Sequence, residues 1–148
     1  MEYKHFYYEA ESMVLEFNTV AKSEWDFELR KALIEEEMEE FAEALTYKNR
    51  VEMLDACIDT IYIAIGTILL SGDWMNDDEA LHVEHCHIIA ARAFARMLTL
   101  TDCPLASFEE VHRSNMAKFP GGVVLKNDSG KVIKPAGWEP PELEQYLK

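Results

Sequence analysis

Cysteine is scarce in this chain. Cys57, Cys86 and Cys103 are the only three in 148 residues, too few and too scattered for a disulfide framework or a paired-cysteine zinc site. Cys57, set in an apolar segment, reads as plain core. Positive charge is scarce as well: 14 Lys and Arg stand against 28 Asp and Glu, a formal net charge of -14. Such a chain lacks the basic footprint that wrapping nucleic acid requires. The apolar run Thr60–Leu70 is too short to span a bilayer, and Asp55 and Asp59 at its start weigh further against spanning, so no membrane partner is expected. No basic stretch followed by an apolar one opens the chain, so no secretory signal and a reducing, cytoplasmic setting are expected. Internal repeats and low-complexity tracts are missing too.

What is present is enough apolar material, 49% of residues, to bury a sizeable core in one domain of ordinary size. The spacing of that material predicts five helices. Phe6, Tyr7, Ala10, Met13, Val14 and Phe17 recur at steps of three and four, giving a first helix over 3–20. Ser23 or Asp26 caps a second, which runs to about Tyr47 with Ile34, Met38, Phe41 and Leu45 as its core stripe. A third follows Lys48-Asn49-Arg50 and ends near Ser71-Gly72. Asn76-Asp77-Asp78 caps a fourth over about 79–100, and Ser107 a fifth over about 108–118. From Phe119 onward Gly and Pro accumulate. There the expectation is loop, with a small hairpin through 123–126 and 131–134 around Asp128-Ser129-Gly130. The expected fold class is all-α: one domain over 1–148, with an irregular, basic and proline-containing tail over 119–148.

Charge is distributed unevenly on this frame. Residues 1–111 hold 24 acids and 8 bases, whereas residues 112–135 hold five bases and only Asp128 as an acid. Within the third helix, Asp55 and Asp59 interrupt a segment that is apolar on nearly every side. A spacing of four puts them on one face, about one turn apart. Burying an ionised carboxylate without a partner costs several kcal/mol. The partner is a helix cap, a salt bridge to Arg30 or Arg50, or a cation. Upstream, Glu35-Glu36-Glu37-Met38-Glu39-Glu40 brings more acid. At about 100° per residue Glu37 and Glu40 fall together on one flank of the core stripe, while Glu36, Glu39 and Glu43 point outward.

Two acid-bearing helices across a short turn suggest a carboxylate cage for a hard cation, Mg²⁺ or Mn²⁺. Such an ion keeps positions open for substrate phosphates. Arg113, Asn115 and Lys118 within two turns, with Lys131 and Lys134 beside Gly130, supply cations and an amide suited to a polyphosphate. Other patterns compete. Glu79-x-x-His82, Glu84-x-x-His87 and Glu109-x-x-His112 match the ligand spacing of di-iron bundles, but the first two crowd one segment and that architecture leaves the basic tail idle. His82, His85, Cys86 and His87 offer a zinc pair, with ordinary helix residues as the simpler reading.

Glu36-Glu37-x-x-Glu40, Asp55-Ala-Cys-Ile-Asp59-x-x-Tyr62-x-x-x-Gly66, His112-Arg-Ser-Asn-Met-Ala-Lys118 and Gly130-Lys-Val-Ile-Lys134-Pro together resemble the all-α nucleoside triphosphate pyrophosphatase superfamily. These are the MazG-like and phosphoribosyl-ATP pyrophosphohydrolase-like proteins, and the likeness is greatest to the small single-domain members of phages and bacteria. The resemblance covers about residues 12–141. It implies a MazG-like helical bundle that cleaves a nucleoside triphosphate, such as a dNTP, between the α and β phosphates with Mg²⁺ or Mn²⁺. It implies metal ligation by Glu37, Glu40 and Asp59, with Asp55 as a further ligand or a support, and Glu36 as the group that orients or deprotonates the attacking water. It implies phosphate contacts from Arg113, Asn115, Lys118 and Lys134, and base contacts from the Glu16-Phe17-Asn18 segment and Trp25. A homo-oligomer, dimer or tetramer, is implied as well.

The chain departs from the pattern twice. Ala56 stands where many members carry Glu, leaving Glu52 or Asp55 to replace it, and about 25 extra residues lie between Gly66 and Phe108. The extra helix builds subunit contacts or covers the core. A non-catalytic nucleotide sensor or assembly subunit of the same fold is the main alternative to an enzyme.

Overall fold

Apolar residues at nearly every position of the third helix make it the hub of the molecule, as the computed structural model, which describes residues 1–148, bears out. Five α-helices follow one another without a strand: α1 (Tyr3–Ala21), α2 (Phe27–Thr46), α3 (Arg50–Leu70), α4 (Asp77–Met97) and α5 (Pro104–Met116). Helix α3 is flanked by α2 and α4, and α1 packs against both α3 and α5. Ile58, Ile61 and Ile65 of α3 are fully buried, each contributing roughly 1.5–3 kcal/mol by leaving water. They meet Phe6 and Val14 of α1, Phe94 and Met97 of α4, and Phe108 and Val111 of α5 in one core. By length and composition alone the 21 residues of α3 are enough to cross a membrane, more than the run Thr60–Leu70 suggests, but most of the helix is buried inside the bundle.

Polar caps set the helix starts. Asp26, rather than Ser23, caps α2 by accepting from Leu29 N at 3.1 Å, and Asn49 caps α3 by accepting from Glu52 N at 3.2 Å. Asn76 and Glu79 form a reciprocal box at the start of α4. Helix α5 begins at Pro104, earlier than expected, because Pro suits the first helical position. Ser107 is therefore no cap; its hydroxyl donates back to the Cys103 and Pro104 carbonyls, each at 3.0 Å.

The buried face of α2 also differs from the expected stripe. It runs through Arg30, Ile34 and Ala44, with Glu37 and Phe41 half-buried between them, whereas Met38 and Leu45 are 50% and 54% exposed. The helix is turned so that Glu37 lies on its inward side rather than on a flank.

The extra helix α4 covers the core, burying Cys86, Ala90, Ala93, Phe94 and Met97. The tail is irregular, as expected, but not loose. Leu143 is 2% exposed in the main core, and Lys148 N donates to the Leu100 carbonyl at 2.9 Å. The expected hairpin shrinks to one antiparallel bridge between Lys126 and Val132. Its turn is held by Asn127 Oδ1, which accepts from Ser129 N and Lys131 N at 3.0 Å each. Gly130 adopts φ +90° there, a conformation open to glycine at little cost.

Candidate functional site

Between the α2–α3 pair, the end of α1 and the tail lies a cleft of about 740 Å³. Each wall follows from a feature of the sequence. The inward turn of α2 delivers Glu37, with Glu36 and Glu40 at the rim. The four-residue spacing on α3 delivers Asp55 and Asp59, with Glu52 one turn earlier and Tyr62 one turn later. Helix α1 contributes Phe17 and Asn18, the α1–α2 connection Trp25, and the end of α5 Asn115 and Lys118. The tail closes over them with Lys131, Lys134 and Trp138.

Of the residues singled out from the sequence, Glu36, Glu37, Glu40, Asp55, Asp59, Asn115, Lys118, Lys134, Phe17, Asn18 and Trp25 all line this cleft. Arg113 does not. It sits on the outer side of α5, 53% exposed, with Nε and Nη2 donating to Glu110 at 2.7 and 2.9 Å. The helix places Arg113 two residues from Asn115, and thus about 200° around the axis from it. Glu110 also accepts from Glu142 N at 2.8 Å, so this pair anchors the tail.

The electrostatics of the acidic wall are governed by burial and by the crowding of like charges, which outweigh the nearby lysines. Burial, followed by Asp59 and Glu40, pushes the Glu37 carboxyl far above the usual range. Burial and then Asp55 do the same to Asp59. Asp55 is raised to about 6 by burial and then by Glu52 and Glu40, against the lowering pull of Lys134 and Lys118. Neither arginine considered as a partner reaches the aspartates. Arg30 donates to Thr67 Oγ1 and the Ile63 carbonyl, and Arg50 to the Lys148 carbonyl.

Glu37 Oε2 and Asp55 Oδ1 are buried with no hydrogen-bond partner. Side chains of this fold do not converge into a ready-made cation cage, yet two orphaned carboxylate oxygens in an all-oxygen set are what a hard divalent cation satisfies. The residues fit such an ion chemically. Ala56, at the position of the missing glutamate, is 2% exposed and faces the core. Glu52 is exposed at the cleft rim, which leaves Asp55 as the inward acid.

The basic wall is tied to the acidic one. Lys131 Nζ lies 3.1 Å from both carboxylate oxygens of Glu36. Lys118 is mostly buried, which lowers its pKa, and Asp59 beside it is the main opposing influence. Lys118 and Lys134 stand 5.5 and 4.7 Å from the centre of the Trp138 ring. The indole Nε1 donates to the Ser114 carbonyl at 2.6 Å, so the tail docks onto α5 through this ring. Trp138 and the Lys131–Glu36 pair escape the sequence reading. The position of Trp138 four residues after Lys134 is the available signal for the first.

A further polar chain leads out of the cleft. Tyr62 Oη and His112 Nδ1 are 2.8 Å apart, and His112 Nε2 lies 2.7 Å from Glu16. This occupies His112, while the Glu79 side chain accepts from Asn76 N in the capping box and from Trp25 Nε1. Two of the three Glu-x-x-His patterns thereby serve other contacts. His82 Nε2 is 3.8 Å from Cys86 Sγ, and no metal group forms around the pair.

Comparison with known families finds a match to the first half of the chain. The family model for phosphoribosyl-ATP pyrophosphohydrolase matches residues 9–73, the segment from α1 through α3 that carries Glu37, Glu40, Asp55 and Asp59. No curated protein and no solved structure matches the chain.

Proposed function

We propose that the chain, whose residues 9–73 match the family model for phosphoribosyl-ATP pyrophosphohydrolase, is a MazG-like all-α NTP pyrophosphatase that hydrolyses a (deoxy)nucleoside triphosphate between the α and β phosphates, with Mg²⁺ or Mn²⁺, in control or cleansing of the nucleotide pool. One observation carries the reading: Glu37 and Asp55, each with an orphaned buried oxygen, face the lysines of the tail across a single cleft. Acid alone fits a cation and base alone fits a phosphate; a metal-bearing polyphosphate needs both.

Glu37, Glu40, Asp55 and Asp59 are the residues to hold the cation. When bound, it supplies positive charge that offsets the triphosphate and acidifies water. Glu36, at the rim and steadied by Lys131, orients the attacking water and accepts its proton. Water adds to the α-phosphorus, the bond to the bridging oxygen of the β-phosphate breaks, and pyrophosphate leaves. Lys118 and Lys134, set by Trp138, stabilise the charge that develops on the leaving group. Asn115 contributes an amide donor to the same phosphates. Phe17 and Trp25 offer aromatic faces for the base.

We also infer a homo-oligomer. Met38 and Leu45 on α2 and Leu81 and Ile88 on α4 are each at least half exposed and repeat at seven residues, the period of a helix-packing seam. Sedimentation of the wild type against a Met38→Glu, Leu45→Glu variant tests this; an unchanged mass rejects it.

The reaction is tested by supplying each dNTP with Mg²⁺ and resolving the products. Monophosphate plus pyrophosphate is expected. Orthophosphate, or no turnover of any nucleotide, rejects the reaction class. Asp59→Asn and Glu37→Gln are each expected to abolish turnover while the far-ultraviolet circular dichroism stays that of the wild type.

A further inference from the structure

At the end of the cleft away from the carboxylates the fold buries a positive charge that has no acidic partner. Arg30 is 8% exposed and lines the cleft. Its Nε donates to Thr67 Oγ1 at 2.9 Å and its Nη2 to the Ile63 carbonyl at 3.0 Å. Both acceptors are neutral, and burial pulls the guanidinium pKa down to about 10. An unpaired buried charge is costly, and these two bonds use only two of its five donors.

Asn18, also 8% exposed, lies beside it. Its Nδ2 donates to the Gly66 carbonyl at 3.2 Å, which fixes the orientation of the amide and leaves Oδ1 as an acceptor without a protein partner. Gly66 is the floor under both groups. A methyl group there would stand 2.8 Å from Arg30 Nη2 and 3.6 Å from Asn18 Oδ1. A donor and an acceptor thus sit side by side over bare backbone, and Phe17 and Trp25 line the same cleft.

Spacing along the helices says what lies there. Arg30 precedes Glu37 by seven residues on α2, and Gly66 follows Asp59 by seven residues on α3. At 1.5 Å per residue, both put this donor–acceptor pair about 10 Å from the carboxylates. That is the scale of the distance between the α-phosphate and the far edge of a base in a nucleotide.

We propose that Arg30 and Asn18 read the lactam edge of the nucleobase: a ring carbonyl beside a ring N–H, as in guanine, hypoxanthine, uracil and thymine. The guanidinium donates to the carbonyl, and Asn18 Oδ1 accepts from the ring N–H. Adenine and cytosine present an amino group and a bare ring nitrogen instead, so donor meets donor and lone pair meets lone pair in a buried place. Arg30 and Asn18 are therefore specificity residues for the reaction proposed above, on which this inference rests.

Two substrate pairs that differ only in carbonyl against amino isolate the effect: dITP with dATP, and dUTP with dCTP. In the wild type the carbonyl member is expected to be favoured in kcat/KM by at least about 10-fold in the pair of the size the cleft accepts, one mispaired edge being worth that much or more. Arg30→Gln, whose amide can turn either way, is expected to bring the ratio close to one. Asn18→Ala is expected to lower it too, and stands in if Arg30→Gln does not fold.

Binding of the same four bases as non-hydrolysable α,β-imido triphosphates is measured in parallel. A carbonyl preference in binding without any turnover overturns the proposed reaction and upholds the base reading. Turnover or binding with no carbonyl preference in either pair overturns the base reading alone. So does a preference that survives intact in folded Arg30→Gln. Weakened competition by inorganic triphosphate in Arg30→Gln, with base ratios near one, assigns Arg30 to phosphate and likewise overturns it.

Discussion

Replacing Asp55 with Asn is expected to make the metal-free protein more stable and to remove its response to Mg²⁺. Without a cation, burial together with Glu52 and Glu40 holds the Asp55 carboxyl at about 6, against 3.8 for the free side chain. The folded state therefore binds this proton more tightly than the unfolded state, and the ionised carboxylate opposes folding. The penalty is full above pH 6, shrinks as pH falls, and is gone below 3.8. A shift of about two units, at roughly 1.4 kcal/mol each, amounts to on the order of 3 kcal/mol at pH 8. Asn has nearly the same shape and no charge, but its amide must find partners of its own. About 1–3 kcal/mol of relief should remain, or roughly 3–10 °C in melting temperature for a domain of this size.

The assay is thermal unfolding followed by circular dichroism in chelator at pH 8, 6 and 4, repeated with Mg²⁺. In chelator the variant should melt above the wild type at pH 8, with the gap closing toward pH 4, where the wild-type carboxyl is protonated. With Mg²⁺ the wild type should gain stability, most of all at pH 8, and the variant little. A variant that melts below the wild type at pH 8 in chelator would refute the reasoning. So would a gap that does not narrow on acidification, or an Mg²⁺ gain that the Asp55→Asn substitution leaves untouched.

Trp138→Leu removes the ring beside Lys118 and Lys134 and its hydrogen bond to the Ser114 carbonyl. With two such contacts worth about 0.5–1 kcal/mol apiece, KM for the nucleotide is expected to rise roughly 5- to 30-fold in steady-state assays, and an unchanged KM would show that the ring does not set the lysines. Arg113→Ala is expected to leave turnover within about 2-fold of the wild type, because Arg113 faces Glu110 outside the cleft and an exposed pair of this kind is worth about 0–1 kcal/mol; a loss of two orders of magnitude would return Arg113 to the phosphate site.

The helical frame and the acidic wall are legible in the sequence for the same physical reason: both are periodic. Apolar steps of three and four mark α1, and the spacing of Asp55 and Asp59 marks one face of α3 before any coordinates are consulted. Periodicity says less about which way a helix is turned. For α2 the apolar stripe points to Ile34, Met38, Phe41 and Leu45, but the buried face runs from Arg30 to Ala44 by way of Glu37. Pattern reading takes charge as a mark of the outside, and here two charged residues are inside because the cleft needs them. Met38 and Leu45 then stand in solvent.

The tail resists reading for a different reason, since no period governs it. Asn127, Gly130 and Pro135 announce turns, but the docking of Trp138 on Ser114 and the closure of Lys131 on Glu36 join residues 24 and 95 positions apart. Nothing local in the sequence encodes such pairings. Arg113 shows the converse hazard. It shares a short motif with Asn115 and Lys118, yet two residues along a helix turn a side chain about 200°, so Asn115 faces the cleft and Arg113 faces Glu110.

The same two helices carry the core of the fold and the acids that oppose it. Ile58, Ile61 and Ile65 are fully buried, and the burial of Asp55 and Asp59 on the same helix is the largest cause of their raised proton affinity. A looser helix would solvate the acids and relieve the strain, but it would also leave them poor competitors for a cation that water binds well. Dry, crowded carboxylates stand to gain most from a divalent ion where an oxygen has no hydrogen-bond partner, as at Glu37 Oε2 and Asp55 Oδ1. In this bundle the packing that makes α3 the hub also raises the proton affinity of its two aspartates, and on the proposed reading the stability that their burial costs is recovered in affinity for the cation.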